Sequence, residues 1–532
     1  MAGPFGSTVA DYTGTIPALL ELAVQRDPGG IWLRTDELEL TFAEAAGRVA
    51  GIAAQLGDAG IGHGDLVVLT ARTTPEYLLS WLALAILGAV TVPVNPASTP
   101  AELAGIVGQV DPRAVLSDPD LDHVLDAAGV REPRVPAVMD VHRLGAGPTG
   151  QPLADWPRAR VSPDDLAVLI PTSGTTGRSK LVMQTHRAYA MAGEGFPYWM
   201  ELDSSDRMMT SLPLFHINAP IYSVLGSLAC GAGLILVPRF SASGFLDTAR
   251  RHGATEFNAI GAMVEILMRQ PERPDDSDNP LRLCYAGPAP EKARHLEIER
   301  RFGLRIVVGY AMSESPYGLI WPHGKRPYGT LGTVRQHPYL GKINEAKVVV
   351  PPEDGLADGR EAGTEVGPGG SGEILLRNPV ITPGYWGMPE ETAAVKTADG
   401  WLHTGDLVNV NEDGTYTFVG RRKEVLRRRG ENLSPLEVEE VLDSHPAVLE
   451  SAVIGVTSEL TEEDIKAFVV PQPGAPVDFG ELRAFAAARL SAFKVPRFWQ
   501  LIDALPRTPT ARIAKHRLPA GHQPGEYDAD PA

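Results

Sequence analysis

The chain has 532 residues, of which 43% are hydrophobic and 21% charged, a balance that is typical of globular proteins and excludes wholesale disorder. The 48 basic and 66 acidic residues give a net charge of −18, which excludes a global basic surface for nucleic acid or anionic lipid. Two cysteines, Cys230 and Cys284, build neither a disulfide scaffold nor a four-cysteine zinc site, and they favour a reducing, cytoplasmic compartment.

The first third of the chain predicts an α/β structure. The opening residues lack the basic and apolar segments of a signal peptide, so none is expected. Helical and strand-like patterns then alternate, which favours layers of mostly parallel strands. The helical stretches lie at 42–56 and 100–110, and strand-like runs lie at 66–70, 89–94 and 114–118.

Residues 77–94 contain no charged side chain and so resemble a membrane span. A bilayer crossing needs about 20 such residues, and this run is interrupted by Gly88 and Pro93, which are signals for a helix end and a strand edge. We therefore predict a buried helix that ends at Leu87 and a short strand after it, and no membrane span.

Composition changes along the rest of the chain indicate further units. Residues 131–164 are rich in Pro, Gly and Arg and predict a surface connection, after which the alternation resumes to about residue 320. Turns and strands dominate from 351 to 421, and the last hundred residues indicate a small α+β unit with a helix that Ser434 is expected to cap. We expect a large N-terminal domain over 1–421, with a β-rich subdomain, and a C-terminal domain over 422–532, whose tail from Gly521 is predicted to be mobile.

The strongest local signal lies at residues 169–188. An apolar strand leads into six small or hydroxyl residues and a lysine, followed by a run that we interpret as helical: Thr172, Ser173, Gly174, Thr175, Thr176, Gly177 and Lys180. Small residues let backbone N–H groups approach an oxyanion, and the lysine adds positive charge, so the segment suits a polyphosphate. The spacing is not that of a Walker A loop, and the alternative is a polar hairpin turn.

Two strand ends carry polar groups that suit a nucleotide. Tyr310, Ser313 and Glu314 follow an apolar strand, and small residues at 286–290 follow another. Open α/β sheets present ligand groups at strand C-termini, so a ring there could lie on a base and the carboxylate could hold Mg²⁺. An ordinary turn and a solvated acid are the alternatives.

A third cluster is basic and lies in an otherwise acidic chain. Asp406 stands in an H-T-G-D turn, where it could accept two hydrogen bonds from a ribose diol, and Arg421, Arg422, Lys423 and residues 427–429 concentrate six cations. Such local positive charge suggests an anionic ligand such as a phosphate. The alternative is a solvated charged face.

In their order along the chain these motifs resemble the ANL superfamily, the AMP-forming adenylating enzymes, with carnitine-CoA ligase-type acyl-CoA ligases as the nearest likeness. The resemblance covers nearly the whole chain through LTFAEAA, LGAVTVPVNP, PTSGTTGRSK, YAGPAP, GYAMSES, GYW, GWLHTGD, GRRKEVLRRRGENLSPLEVE and PRTPTARIAKHRL. It implies ATP and Mg²⁺ as cofactors, CoA as the cosubstrate, and a small mobile C-terminal domain.

The resemblance also implies a role for each matching residue. The phosphate loop would be 172–177 with Lys180, the metal ligands Glu314 and Thr172, and the gate of the acyl and thiol tunnels His216. The remaining nucleotide contacts would be Gly287, Pro288, Ala289, Tyr310, Ala311, Met312, Ser313, Asp406 and Arg421. The substrate pocket would include His216, Asn218, Gly261, Ala286, Gly309, Ser313 and Tyr317. Lys423 matches the hinge, and Gly430 matches the loop that lines the thiol tunnel.

The sequence departs from the family pattern near the C-terminus. The family motif P-x-T-x-x-G-K ends in a lysine that bridges the carboxylate and the α-phosphate, whereas Arg512 occupies that position and Lys515 lies three residues on. Either Arg512 substitutes, or Lys515 reaches in, or the step depends less on such a cation. Arginine keeps the charge but presents a planar fork rather than a point charge.

These inferences predict a ligase that adenylates a small or aromatic carboxylic acid and passes the acyl group to CoA. The small and polar pocket residues favour such an acid over a long fatty chain. Activation of another oxyanion, such as nitrite for diazotisation of an aromatic amine, is the alternative. An amino-acid adenylation domain and an inactive nucleotide-binding regulator are further alternatives. Expected partners are small molecules without nucleic acid, and a homodimer is compatible with the sequence.

Overall fold

The computed structural model describes residues 14–130, 135, 137–144, 161–172, 179–287, 290–350, 363–422, 426–428, 431–457, 463–490, 492–507, 513–521 and 523–529. The helices within these ranges are α1 Ile16–Arg26, α2 Phe42–Asp58, α3 Pro75–Leu87, α4 Pro100–Val110, α5 Asp122–Ala127, α6 Val141–Leu144, α7 His186–Met200, α8 Gly226–Cys230, α9 Phe245–His252, α10 Gly261–Met268, α11 Lys292–Phe302, α12 Pro389–Ala393, α13 Pro435–Asp443 and α14 Phe479–Ala487. Short 3₁₀ turns lie at Pro119–Leu121, Ala492–Lys494 and Lys515–Arg517, and a π-helix spans Ala219–Leu225.

The strands in the same ranges are β1 Ile31–Arg34, β2 Glu39–Thr41, β3 Leu66–Thr70, β4 Val90–Pro93, β5 Ala114–Ser117, β6 Ala137–Asp140, β7 Leu166–Thr172, β8 Lys180–Thr185, β9 Arg207–Thr210, β10 Gly233–Leu236, β11 Glu256–Ile260, β12 Leu283–Gly287, β13 Arg305–Met312, β14 Ser315–Ile320, β15 Thr333–Val334, β16 Glu345–Val350, β17 Thr364–Val366, β18 Ser371–Arg377, β19 Leu402–Val410, β20 Tyr416–Arg421, β21 Leu426–Arg428, β22 Glu431–Leu433, β23 Val448–Thr457, β24 Glu463–Pro471, β25 Phe498–Leu501 and β26 Tyr527–Asp528.

Two large sheets form the body of the protein. One has the order β6-β5-β3-β4-β7-β8 and the other β15-β14-β13-β12-β11-β9-β10-β1-β2. Pairing is parallel except at the edges, where β8, β14, β15 and β2 run antiparallel to their neighbours. A single apolar core includes residues of both sheets and of α1, α2, α3 and α7. The predicted α/β class with mostly parallel layers is confirmed.

Helix α3 shows why the apolar run does not span a membrane. Thr74 caps its start by accepting a hydrogen bond from the Tyr77 backbone N–H at 3.3 Å, and Gly88 ends it with a φ of 68°. Every residue from Tyr77 to Leu87 is buried, and β4 follows as predicted. No helix within the described residues has the length and apolarity of a bilayer crossing.

A third, antiparallel sheet has the order β17-β16-β18-β19-β20 and its own small core around Val348, Ile374 and Val408. Beyond it, β21 and β22 form a hairpin, and β23 to β26 form a separate sheet packed under α13 and α14. This matches the predicted β-rich subdomain and separate α+β unit, while the boundary between residues 421 and 422 stays a prediction.

Four local expectations are wrong. Residues 181–185 are strand rather than helix, because β8 pairs with β7 along its whole length. The 131–164 connection contains β6 and α6, with Val141 fully buried. Ser434 precedes α13 without a side-chain cap hydrogen bond. The described part of the tail, residues 521 and 523–529, is packed against the rest of the unit: the buried Lys466 ammonium donates to the Gly521 carbonyl at 2.8 Å and pairs with Glu526, while Tyr527 stacks on Phe479 at 5.8 Å.

Candidate functional site

The hairpin of β7 and β8 presents the ends of the predicted phosphate loop. Thr172 lies opposite Lys180 in the register, and its hydroxyl donates to the Lys180 carbonyl at 3.3 Å. Both residues are half-buried. The loop residues between them, Ser173, Gly174, Thr175, Thr176 and Gly177, lie outside the described residues, so their phosphate contacts stay predictions.

Glu314 lies in the tight turn between β13 and β14 and faces this hairpin. Its carboxylate Oε1 accepts a hydrogen bond from the Tyr385 hydroxyl at 2.9 Å, and its carbonyl accepts one from the Thr382 N–H at 2.8 Å. The Lys180 ammonium lies 4.5 Å from the centroid of the Tyr385 ring. The structure therefore joins the predicted cation and the predicted metal ligand through Tyr385.

Tyr385 is held in place by main-chain pairing with β8. The Trp386 N–H donates to the Leu181 carbonyl at 2.9 Å, and the Met183 N–H donates to the Gly384 carbonyl at 3.0 Å. Burial and the adjacent Glu314 carboxylate raise the pKa of Tyr385, so the phenol stays protonated and donates. Tyr385 is the tyrosine of the GYW motif, and the sequence alone assigned it no role.

Tyr310, Asp406 and Arg421 converge at the junction of the second and third sheets. The Tyr310 hydroxyl donates to Asp406 Oδ2 at 2.5 Å, and Arg421 Nε lies 2.7 Å from Asp406 Oδ1. Asp406 is buried and lies opposite Arg421 in the register of β19 and β20. Burial and the Asp406 charge raise the pKa of Tyr310. Three residues predicted to bind the nucleotide are thus in direct contact.

The turn that carries Asp406 rests on a second buried carboxylate, Glu373. Its Oε1 accepts a hydrogen bond from the Gly405 N–H at 2.8 Å, and its Oε2 lies 3.2 Å from His403 Nδ1 and 3.5 Å from Arg422 Nη1. Gly405 has a φ of 72°, which favours glycine. Glu373 therefore positions the Asp406 turn, and its place in an ordinary strand gave no sequence signal.

The remaining predicted nucleotide residues lie along the same strands. Ala311 and Met312 end β13, and Ser313 follows them, with its carbonyl accepting a hydrogen bond from Gln184 Nε2 at 2.5 Å. Gly287 ends β12, where an added Cβ would lie 2.6 Å from the Gly309 carbonyl oxygen. Pro288 and Ala289 lie outside the described residues.

The predicted pocket residues belong to β12, β13, β14, the turn between β13 and β14, the start of α10 and the segment that leads into the π-helix. His216 packs on Phe215 with ring centroids 4.6 Å apart, and Asn218 Oδ1 accepts from Asn258 Nδ2 at 2.9 Å. Of the rest, Gly261 starts α10, Ala286 lies near the end of β12, and Gly309 and Tyr317 lie within β13 and β14. π-Helical segments are frequent at functional sites.

The C-terminal candidates fall partly outside the described residues, which exclude Lys423, Gly430 and Arg512. Lys515 is described, and its ammonium lies 2.8 Å from Glu439 on α13. In this conformation the Lys515 ammonium therefore contacts a carboxylate of the C-terminal unit itself. The predicted roles of these four residues are neither supported nor contradicted.

The sequence of this chain is similar to known protein families and to enzymes of known activity. The model of the AMP-binding enzyme family matches residues 20–386, and that of the AMP-binding enzyme C-terminal domain matches residues 437–512. The chain is 30% identical to the sulfoacetate–CoA ligase of Cupriavidus necator, covering 96% of this chain and 98% of that protein. It is 31% identical to a crotonobetaine/carnitine–CoA ligase of Salmonella paratyphi C, covering 86% and 89%.

Two solved structures show the same architecture. ATP-bound MatB from Rhodopseudomonas palustris superposes with a TM-score of 0.82 at 27% identity, covering 93% of this chain and 97% of that one. The o-succinylbenzoate CoA synthetase from Bacillus subtilis, in complex with its acyl-adenylate intermediate, superposes with a TM-score of 0.81 at 25% identity, covering 94% and 97%.

Proposed function

Because the chain belongs to the AMP-binding enzyme family, the ANL superfamily of adenylate-forming enzymes, we propose that it adenylates a small or aromatic carboxylic acid with ATP and transfers the acyl group to CoA. The general activity, that of an AMP-forming acid–thiol ligase, follows from this membership. The main support for the proposal is that Tyr385 contacts both Lys180 and Glu314 beside the predicted phosphate loop.

The donor groups of this site fit magnesium held mainly by a nucleotide. No cluster of three or more His, Cys, Asp or Glu side chains that could hold a metal occurs among the described residues. Mg²⁺ commonly keeps several waters and binds through one or two carboxylates and substrate phosphates, and Glu314 supplies one carboxylate. Glu314 and the Thr172 hydroxyl would hold it, and its charge would offset that of the phosphates.

The chain's own residues would then govern the transfer. The acid oxygen attacks the α-phosphorus of ATP as the bond to pyrophosphate breaks, and negative charge grows on the phosphate oxygens. Lys180 offsets that charge electrostatically, while Tyr385 holds Glu314 in position. The Tyr310–Asp406–Arg421 contact would anchor the nucleoside, with Asp406 and Arg421 at the ribose.

The thiol of CoA then attacks the acyl carbon of the adenylate, forming the thioester and releasing AMP. We propose that residues 422–532 act as a lid that turns at Lys423 between the two half-reactions, since one site serves two geometries. We also propose a cytoplasmic location, which the two reduced cysteines favour.

A second candidate is activation of nitrite for diazotisation of an aromatic amine. The observation that favours it is Arg512 in place of the family's lysine, because that cation would contact the attacking oxyanion.

Pyrophosphate release from ATP tests both candidates. The full chain is incubated with Mg²⁺ and single carboxylic acids, with and without CoA, and separately with nitrite and an aromatic amine. We expect AMP and acyl-CoA in stoichiometric amounts for a small or aromatic acid. AMP formation that requires nitrite plus amine supports the second candidate, and absence of AMP under all conditions contradicts both.

A further inference from the structure

A fully buried arginine, Arg335, follows the edge strand β15. Its Nε donates to the Leu319 carbonyl at 3.0 Å, and its Nη1 donates to the Tyr222 hydroxyl at 2.8 Å and to the Pro316 carbonyl at 3.3 Å. Its Nη2 donates to the Tyr285 hydroxyl. Within the described residues no carboxylate pairs with this guanidinium, and four of its five N–H groups have acceptors.

A buried cation without an anion is unusual, because taking a charge out of water costs several kcal/mol unless a counter-charge or hydrogen bonds compensate it. Aromatic faces supply part of the compensation, since the guanidinium lies 4.7 Å from the Trp199 ring centroid and 5.2 Å from that of Tyr222. Glu194, a buried carboxylate on α7, is instead 3.1 Å from His337 Nε2.

The one N–H of Arg335 without an acceptor among the described residues belongs to Nη2, the atom that lies against Gly309. A Cβ added to Gly309 would lie 2.6 Å from Nη2 and 2.5 Å from the Tyr285 ring. Gly309 is one of the predicted pocket residues, and Tyr285 precedes another, Ala286, on β12. The guanidinium therefore packs directly against a residue that the sequence predicts to line the acid pocket.

Other buried polar atoms near this arginine also lack partners among the described residues. The Tyr317 hydroxyl is fully buried and has no hydrogen bond within the described part of the chain, and its ring packs edge-on against Trp199 with centroids 4.8 Å apart. Asn258 is opposite Tyr285 in the register of β11 and β12. Its amide N–H groups donate to Asn218 and Ser223, and its Oδ1 has no donor among the residues that the structure describes. Buried polar atoms are nearly always satisfied, and of these two only the Tyr317 hydroxyl can donate to a bound acceptor.

Large rings limit the length of that ligand. Phe196 of α7 stacks on Tyr222 of the π-helix at 5.0 Å, and Tyr222 packs edge-on against Tyr285 at 5.4 Å. These packed rings lie between α7, the π-helix and β12, beside Arg335. A long alkyl chain would have to displace them.

We propose that Arg335 is a specificity-determining residue that binds a second anionic group, a carboxylate or a sulfonate, at the far end of a short acid substrate. This inference rests on the proposed ligase function and narrows its substrate class to short dianionic acids. The bound anion would accept the free Nη2–H and supply the missing counter-charge. The Tyr317 hydroxyl would add a neutral donor.

The test compares acids of equal chain length that differ in the second anion: malonate with propionate, and succinate with butyrate, with sulfoacetate as the sulfonate probe. Pyrophosphate release in the presence of CoA gives kcat/KM for each. We expect the wild-type enzyme to favour the dianion by about 100-fold, since the analogue without the second anion loses a hydrogen bond between charged groups. Arg335→Met should reduce that preference to about one, and Arg335→Lys should retain part of it.

Arg301→Met is the matched control. Arg301 is also a buried arginine, but it pairs with Asp276 at 2.8 Å and belongs to α11. Its loss should lower the melting temperature without changing the dianion preference. If Arg335→Met does not fold, the role of Arg335 is decided by the ratio of kcat/KM for dianionic and monoanionic acids in the wild-type enzyme and in Arg335→Lys.

The outcomes separate the two proposals. A wild-type enzyme that forms acyl-CoA from propionate or butyrate in preference to the dianions overturns the role of Arg335 and leaves the ligase function standing. Equal losses for both classes of acid in the Arg335 variants show a merely structural arginine and also overturn it. If no acid yields AMP, the ligase function itself fails.

Discussion

Tyr385→Phe tests whether the contact between Tyr385 and Glu314 organises the catalytic site. The change removes one O–H donor and keeps the ring that faces the Lys180 ammonium. A hydrogen bond to a charged acceptor contributes about 1.5–3 kcal/mol, and water replaces it poorly because Tyr385 is only 6% exposed. A loss of about 2 kcal/mol expressed in the transition state lowers the rate by about 30-fold.

The measurement is the rate of pyrophosphate release at saturating ATP and acid while Mg²⁺ is titrated. We expect a lower maximal rate and a higher Mg²⁺ requirement in the variant, because an unsupported Glu314 samples more rotamers. Tyr77→Phe is the control: that hydroxyl is buried in α3 without a partner in the described part of the chain. Its loss should leave the rate unchanged. A Tyr385→Phe enzyme with wild-type rate and Mg²⁺ dependence would refute the reasoning.

Further predictions concern stability, packing and the anionic transition state. Burial lowers the pKa of His186 to about 4, so the folded state loses stability as the pH falls from about 6.5 toward 4, where the unfolded chain takes up the proton first. By pH 5 the free energy of unfolding should have fallen by about 2 kcal/mol. Urea unfolding at pH 7 and pH 5 should show this pH-dependent loss in the wild type and not in His186→Leu. Gly309→Ala places a methyl group 2.5 Å from the Tyr285 ring and should destabilise the fold by about 1–3 kcal/mol, read as a lower melting temperature. Asp406→Asn should raise the KM for ATP by about tenfold, since it turns charge-assisted hydrogen bonds into neutral ones. Arg512→Ala should slow adenylate formation at least about tenfold, or 1.4 kcal/mol, and unchanged pyrophosphate release would remove Arg512 from that step.

The elements with strong local signals were predictable from sequence. Helices α2, α3 and α4 lie where the periodicity placed them, and Gly88 ends α3 because it adopts a left-handed conformation. Helix and strand remain ambiguous for short apolar runs, which is why residues 181–185 were misread. The tail was misread for another reason: its polar composition hides the pairing of β26 with β25 and the buried Lys466–Glu526 ion pair, both of which are set by tertiary contacts.

The candidate site was predictable only where a motif marks it. Asp406, Arg421 and Tyr310 stood in recognisable motifs and are in contact. Glu373 and Arg335 belong to no motif, and neither type of residue is expected in a protein interior. Their burial results from strands that approach from distant parts of the chain, which local sequence does not encode.

Strand β13 carries residues of both the proposed nucleotide site and the proposed acid site, and its two faces would let these sites respond separately to substitution. Successive side chains of a strand point to opposite faces: the Gly309 position faces Tyr285 and Arg335 in the main core, whereas Tyr310 reaches Asp406 and packs on the core of the third sheet. We therefore expect Gly309→Ala to raise the KM for the acid more than that for ATP, and Asp406→Asn to do the reverse. Steady-state titrations of both substrates check this, and parallel changes in both variants would mean that β13 transmits strain between its two faces.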